Sequence, residues 1–278
     1  MSSIIKMKLI IVVVAFIALA QAGSVKPKLP PLVIPRIAGG EEAKSQQYPF
    51  MAALFIDEKY FCSGSILSKN KILTAGRCCV GAKSIQVVVG TYNIKDLEAS
   101  QKTIESNLFD LHPEYDPNSN ANDVCIVTLP IEIDLTGPAV KEVKLYEGED
   151  NLEDNEATML GWGRISDFVS NINPILHHAT DTIISNEKCA EFFSNVADSI
   201  ICMNGHNGRG ACFGDFGGPL ICKGEQVGIA SFGSSWGCSL GFPSGYVRIS
   251  AVYDWIKKEV ERTPEPGLEP KAKSEAKI

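Results

Sequence analysis

The chain reads Gly214-Asp215-Phe216-Gly217-Gly218-Pro219 where a turn runs into the short apolar stretch Pro219 to Cys222. Many short strands separated by Gly, Asn and Asp predict an all-β sandwich or barrel. The other stretches of this kind are Phe50 to Ile56, Ile85 to Val89, Cys125 to Leu129, Ala157 to Leu160, Gln226 to Phe232 and Gly245 to Ile249. Ala251 to Val260 instead has apolar residues at helical spacing, which predicts a C-terminal helix.

The two ends of the chain differ from this β-rich body. Residues 1–22 have the organisation of a secretory signal peptide, with Lys6 and Lys8 before an apolar run from Leu9 to Ala20. A membrane anchor is the alternative, but a span needs roughly 20 apolar residues and this run has about a dozen. The proline-rich residues 23–36 predict an extended pro-segment, and residues 263–278 predict a disordered tail.

The charge and the cysteine content of the chain indicate which classes of partner and cofactor to expect. The chain has 26 Lys and Arg against 33 Asp and Glu, a formal charge of −7. An acidic chain argues against nucleic acid or an anionic membrane surface as a partner. The nine cysteines of an exported chain predict disulfides, and no spacing resembles a zinc site, so we expect neither a metal nor a cofactor. Because nine is odd, at least one cysteine stays outside the intrachain disulfides.

Four separated segments together resemble the trypsin/chymotrypsin family of serine proteases. The resemblance implies two six-stranded antiparallel β-barrels with a C-terminal helix, over a protease-like domain of residues 37–262. Details such as Tyr60-Phe61-Cys62-Ser63-Gly64-Ser65 are most similar to the insect and crustacean collagenase or chymotrypsin-like branch. The four segments are Arg36-Ile37-Ala38-Gly39-Gly40, Leu73-Thr74-Ala75-Gly76-Arg77-Cys78, Asn122-Asp123-Val124 and Gly214 to Pro219.

Two of the three catalytic positions depart from the family pattern. Arg77 occupies the position of the general-base histidine, and a guanidinium stays protonated at physiological pH. Phe216 occupies the position of the nucleophilic serine, and a benzyl side chain has no nucleophilic atom. We therefore predict that the chain is not an enzyme. The four histidines, His112, His177, His178 and His206, occupy none of the family's catalytic positions.

The third catalytic position keeps its aspartate, Asp123. In the family this carboxylate is buried and orients the histidine, so that losing the partner would leave an uncompensated charge. We hypothesise that Arg77 and Asp123 form an ion pair that replaces a catalytic contact with a structural one.

The resemblance also implies roles for residues around the lost nucleophile. Gly214 and the backbone of Phe216 would form the oxyanion hole, whose donors are main-chain N–H groups. Gly210 would lie at the base of the primary specificity pocket, with Gly233 and Ser244 on its walls. None of these three is charged, so the pocket would accept apolar groups, unless the ring of Phe216 covers its mouth.

An activation switch is implied as well. Arg36 and Ile37 resemble the zymogen cleavage site, where a trypsin-like protease would free an ammonium group that pairs with Asp215. The alternative is that Arg36 is only an exposed basic residue. Thr91 occupies the start of the calcium loop where a glutamate would be expected, so calcium is not predicted.

Resemblance pairs Cys62 with Cys78, Cys189 with Cys202, and Cys212 with Cys238. A fourth bridge between Cys79 and Cys125 is one possibility, and two packed thiols are the other. The expected partner of Cys222 is absent from the sequence.

Three functions follow from these observations. The first is a secreted serine protease homologue that binds extracellular proteins such as proteases, their substrates or their inhibitors, as a decoy or a cofactor in proteolysis or immunity. The second is a peptidase with unconventional groups, such as a cysteine hydrolase that uses Cys79 or Cys125. The third is an inert secretory protein of gut, saliva or venom.

Overall fold

The structure is a computed structural model that describes residues 40–194 and 196–262. All of these residues belong to one compact unit. The predicted signal peptide, the pro-segment with Arg36, the new N-terminus at Ile37 and the tail at 263–278 lie outside the described residues. The described residues include no helix that is long and apolar enough to span a membrane.

The described part of the chain is built mainly from short β-strands. In chain order the elements are β1 (Glu41–Glu42), β2 (Met51–Ile56), β3 (Tyr60–Ser68), β4 (Lys71–Thr74), β5 (Ile85–Val89), β6 (Lys102–Ser106), β7 (Leu108–Leu111), β8 (Cys125–Thr128), β9 (Glu156–Gly161), β10 (His177–Ile184), α1 (Asn186–Ala190), β11 (Ile200–Met203), β12 (Pro219–Cys222), β13 (Glu225–Phe232), β14 (Ser244–Arg248) and α2 (Ile249–Glu261). Two single 3-10 turns, Gly76–Cys78 and His206–Gly208, complete them.

The first sheet is antiparallel with the order β6-β5-β2-β3-β4-β8-β7. Its two edge strands, β6 and β7, are consecutive pieces of chain separated by Asn107 alone. Ser106 joins them at the bend, because its Oγ donates to Thr128 O at 2.6 Å and accepts from Leu108 N at 3.0 Å. One bent strand therefore contributes to both edges of the sheet and brings them together.

The second sheet closes on itself through backbone hydrogen bonds. Its order is β1-β10-β11-β14-β13-β12-β9, and β9 also pairs with β10 from Gly161 opposite His177 to Glu156 opposite Thr182. Six strands form the closed barrel, and the two-residue β1 adds to the edge of β10. Its core contains Met159, Ile183, Leu220 and Tyr246.

The C-terminal helix α2 begins two residues before the predicted segment and ends one residue after it. Its Val252 and Ile256 are buried in the same apolar cluster as Leu73 and Val127 of the first sheet. The spacing of these residues places both on one face of the helix, and burial of that face holds the helix in position.

The predicted all-β trypsin-like fold with a C-terminal helix is confirmed, and solved structures with this fold are described below. The first sheet differs from the expected closed six-stranded barrel, because among the described residues no backbone pairing joins its two edge strands. Its sixth strand is divided into β6 and β7, because the chain bends at Asn107 to pair with β5 on one side and β8 on the other.

Candidate active-site cleft

Three chain segments bring the catalytic positions together. Arg77 lies in the 3-10 turn that follows β4, Asp123 precedes β8, and Phe216 lies in the turn before β12. Ser63 of β3 holds the last turn against the first sheet, because its N donates to Phe216 O and its Oγ donates to Gly214 O, both at 2.9 Å. The sequence therefore assembles the site at the contact of the two sheets.

Asp123 is fully buried and its carboxylate accepts three hydrogen bonds. The backbone N of Arg77 donates to Oδ1 at 2.7 Å, and Nε of the same residue donates to Oδ2 at 2.6 Å. Ser231 Oγ donates to Oδ2 at 2.7 Å. The hypothesised Arg77 to Asp123 ion pair is thus present, and it gives the buried carboxylate both a counter-ion and hydrogen bonds.

The Nη2 end of the Arg77 guanidinium bonds to residues other than Asp123. Nη2 donates to Asn120 Oδ1 at 2.6 Å and to Ser231 Oγ at 3.4 Å. The Arg77 side chain is 28% exposed, so one edge of the planar group reaches the surface of the site. An always-protonated guanidinium donates hydrogen bonds but accepts none, so Arg77 can anchor and neutralise but cannot act as a general base.

Two aromatic rings continue outward from Arg77. Its Cζ lies 5.2 Å from the ring centroid of Phe216, and that centroid lies 6.1 Å from the centroid of Phe213 at an interplanar angle of 82°. Arg164 Cζ lies 4.9 Å from the Phe213 centroid. We call Arg77, Phe216, Phe213 and Arg164 the cation–aromatic row. Guanidinium groups within about 6 Å of an aromatic centroid are attracted by the ring quadrupole.

The cation–aromatic row lines an open cleft of about 740 Å³. Tyr60 and Phe61 from β3 and Ile172 line it as well. None of the four histidines lines it, and neither do Gly210, Gly233 and Ser244. Phe216 therefore lines a cleft that the three residues predicted for the specificity pocket do not line.

Of the three residues predicted for the specificity pocket, Gly210 and Ser244 lie close together, whereas Gly233 lines a different cleft. Ser244 Oγ accepts from Ala211 N at 3.0 Å, and a Cβ added to Gly210 would lie 3.2 Å from that Oγ. Gly233 lines a second cleft of about 440 Å³ together with Phe232 and Asn120. The assignment of these three residues to apolar recognition remains a prediction.

The backbone at the predicted oxyanion hole requires glycine at position 214. Gly214 has φ of 105°, and a Cβ there would lie 2.9 Å from Gly163 Cα. Within residues 40–194 and 196–262, no backbone acceptor bonds the N–H of Gly214 or of Phe216. Two unused donors at one turn are consistent with the predicted oxyanion hole, which stays a prediction.

Asp215 is buried beneath the same turn. Its carboxylate accepts from Gly163 N at 2.7 Å and from Cys212 N at 2.9 Å. Burial raises the pKa of Asp215 to about 7, although both hydrogen bonds favour the charged form. Among the described residues no cation pairs with it. Because Arg36 and Ile37 lie outside the described residues, the activation switch remains a prediction.

Four disulfides stabilise this architecture. The structure contains the three bridges that the resemblance implied, Cys62 to Cys78, Cys189 to Cys202, and Cys212 to Cys238. It also contains the bridge between Cys79 and Cys125, and it leaves Cys222 buried and free. Since both sulfurs of Cys79 and Cys125 are bonded, neither can supply the thiolate of a cysteine hydrolase.

Among the described residues one group has metal-ligand spacing, and its ligand atoms are already used. Asp167 lies beside Cys212 and Cys238, whose sulfurs form a disulfide. At the predicted calcium-loop position, Glu98 accepts from Thr91 Oγ1 at 2.5 Å and from Tyr92 N at 2.9 Å. The expectation of no metal stays a prediction.

Residues of the cleft that sequence reasoning missed are Phe213, Arg164 and Tyr60. Phe213 and Phe216 are three positions apart in the sequence, with Gly214 and Asp215 between them. This spacing within a turn is a sequence signal that the two rings can lie close together. Arg164 has no such signal, because only the packing of the loop after β9 brings it to Phe213.

The comparisons with known proteins agree with this geometry. The family model described as Trypsin matches residues 37–256, so the chain belongs to the trypsin family of serine proteases. Brachyurin from Leptuca pugilator is 39% identical over 82% of this chain and 100% of its own length. Chymotrypsin from Phaedon cochleariae is 32% identical over 92% of this chain and 99% of its own.

The solved structures agree as well. HL collagenase, at 1.7 Å resolution, matches with a TM-score of 0.72 and 29% identity, over 81% of this chain and 99% of that one. The curated collagenase of Hypoderma lineatum is 31% identical over 80% of this chain and 86% of its own length. The resemblance to collagenase and chymotrypsin-like proteases is therefore confirmed.

These comparisons correct one sequence-based prediction. We predicted that the chain is not an enzyme, but the relatives it matches carry the names of proteases, brachyurin, chymotrypsin and collagenase, so that prediction is wrong as stated. It rested on two side chains, Arg77 and Phe216. These remove one route, proton transfer from a serine at 216 to a histidine at 77, and do not exclude enzymatic activity as such.

Proposed function

We propose that this member of the trypsin family binds an extracellular protein through its cleft, as a decoy or as a cofactor in extracellular proteolysis or immunity. The observation that supports this proposal is the cation–aromatic row in the open cleft of about 740 Å³. The partners we propose are proteases, their substrates or their inhibitors, with a trypsin-like protease acting at Arg36. Binding of this kind requires neither an imidazole at 77 nor a hydroxyl at 216.

The composition of the cleft favours protein binding. Phe213 is 61% exposed and Tyr60 is 71% exposed, although large aromatic side chains usually bury most of their surface. Aromatic residues and arginine are enriched where protein interfaces concentrate their binding energy. The cleft combines both residue types on one surface.

The hydrogen bonds and disulfides that hold Arg77 in the cation–aromatic row favour binding with little rearrangement. Asp123 fixes Arg77 through two hydrogen bonds, and the bridges Cys62 to Cys78 and Cys79 to Cys125 hold the turn that carries it. A surface that is already ordered loses less conformational entropy on association. We therefore expect the free and bound forms of the row to differ little.

Secretion is part of the proposal. The four disulfides favour an oxidising compartment, and the predicted signal peptide at residues 1–22 provides a route to it.

The test is capture of partners from the native extracellular fluid by immobilised wild-type protein, Phe213→Ala/Phe216→Ala and the matched control Phe168→Ala. Phe168 is 97% exposed and lies outside the cleft, so its replacement removes an equivalent ring from elsewhere. We expect one protein species to be retained by wild type and by the control and lost with the double variant. Equal retention by all three would contradict the proposal. Peptide hydrolysis by the same samples reports separately on catalysis.

A further inference from the structure

The two guanidinium groups of the cation–aromatic row differ in how their charge is compensated. Arg77 is paired with the buried carboxylate of Asp123 at 2.6 Å. Arg164 has no carboxylate partner among the described residues, although it is partly buried against Phe213. Its backbone N donates to Phe213 O at 2.9 Å, which fixes the start of the side chain beside the ring. Arg164 therefore presents an uncompensated and positioned cation to the cleft.

The net charge of the residues that line the cleft is positive, like the charge of Arg164. Because Asp123 neutralises Arg77, two further cations, Lys59 and Arg164, line the cleft against one carboxylate, Glu58. The complete chain has a formal charge of −7, so this surface is opposite in sign to the rest of the protein. A local positive surface on an acidic protein attracts an anionic group while the remainder repels extended polyanions such as nucleic acid. The charge pattern favours a single carboxylate on a protein segment.

Apolar surface lies next to this cation. Phe213 stacks with Arg164 and is 61% exposed, and Val80 at another wall of the cleft is 57% exposed. An occupant that covered these side chains would remove apolar surface from water while its carboxylate met the guanidinium. Exclusion of water from the contact strengthens the charged hydrogen bonds.

We infer that the cleft selects a partner segment in which an Asp or Glu carboxylate lies next to an aromatic or large aliphatic side chain. Arg164 binds the carboxylate, and Phe213 with Phe216 contacts the apolar side chain. This inference rests on the proposed binding function and specifies the chemistry of the segment that is bound.

The test uses a panel of fluorescent Gly/Ser decamers that each contain one Phe-Glu or Leu-Glu pair, and matched decamers with Gln in place of Glu. Dissociation constants are measured by anisotropy for wild type, Arg164→Gln and the control Lys257→Gln. Lys257 is an exposed cation of α2 outside the cleft, so its replacement makes the same change in net charge. A Phe213→Ala variant reports on the apolar half of the site.

We expect wild type and Lys257→Gln to bind Glu peptides about tenfold more tightly than Gln peptides, as for a charge-assisted hydrogen bond. Arg164→Gln should bring that ratio close to one while it still binds both peptides. Phe213→Ala should weaken both peptides together. If wild type binds both peptides equally, or if Arg164→Gln keeps the preference, the inference is overturned although binding through the cleft stands. If wild type binds no peptide of the panel, the inference is also overturned, and partner capture then decides the proposed function by itself.

Discussion

Arg77 and Asp123 contribute to folding stability as a pair. The carboxylate is fully buried and the guanidinium is its counter-ion, so that loss of Arg77 leaves a charge in the interior. Breaking a buried pair from one side costs about 3 to 5 kcal/mol. We expect Arg77→Ala to lower the free energy of unfolding by roughly this amount in urea titrations at pH 7.

The double variant Arg77→Ala/Asp123→Asn is the control for this prediction. It removes both charges, so its unfolding free energy should lie closer to wild type than that of Arg77→Ala. An Arg77→Ala variant as stable as wild type would show that the pair is not a structural contact.

The two altered catalytic positions can be tested by reversion. Asp123 and Ser231 keep their hydrogen bond, and the Gly214 turn keeps its shape, so Arg77→His/Phe216→Ser should restore a nucleophile at 216. We expect covalent labelling at residue 216 by a serine-directed phosphonofluoridate in the activated double variant and none in Phe216→Ser alone. Absence of labelling in a folded double variant would show that the surrounding geometry does not support the Ser-His reaction.

Asp215 gives a pH dependence whose sign follows from its burial. Its pKa is raised to about 7 in the folded chain from an ordinary value of 3.8, so between these values the folded state holds a proton that the unfolded state releases. Stability contributed by this group is therefore present below pH 3.8 and is lost as pH rises toward 7, by on the order of 4 kcal/mol.

The measurement is urea unfolding of the chain uncleaved at Arg36 between pH 4 and pH 8. Asp215→Asn should remove most of the decrease in unfolding free energy with pH, whether the variant is more or less stable than wild type. If wild type and Asp215→Asn show the same slope, the buried carboxylate does not titrate as described.

At the scale of the elements, the disulfide between Cys79 and Cys125 ties the Arg77 turn to β8. It closes a separation of 46 residues, for which loop-closure entropy predicts about 4 kcal/mol. We expect Cys79→Ser/Cys125→Ser to lose stability of this order, whereas Cys222→Ala should change it by much less. On denatured, unreduced wild type a thiol reagent should count one free thiol, and three would contradict this bridge.

Among the strands that the sequence pattern predicted are those with continuous apolar runs, such as β2 and β12. β3 was missed because it carries Ser63 and Ser65, which look like loop residues but are fully buried. Ser65 Oγ donates to Gln226 Oε1 of β13, so its partner is 161 residues away. Local pattern cannot show that a polar residue is satisfied by a distant strand.

The catalytic positions could be located from sequence because short motifs surround them, and the structure brings Arg77, Asp123 and Phe216 to one site. The proposed binding surface could not be located in this way, because it includes Arg164, a residue without a motif that lies beside Phe213 only through the packing of two loops. Arg77 and Phe216 gave the wrong prediction of no enzymatic activity for a related reason, because two side chains describe one reaction route and not the whole protein.

For the whole molecule, we expect Phe216 and its neighbours to contact a protein partner. The direct measurement replaces Phe216 with p-benzoylphenylalanine, illuminates the protein in its native extracellular fluid and identifies cross-links by mass spectrometry. The same analogue at Phe168, which is 97% exposed outside the cleft, is the control. We predict a discrete cross-linked protein from position 216 and none from position 168. No cross-link at 216, or the same products from both positions, would show that Phe216 does not contact a specific partner.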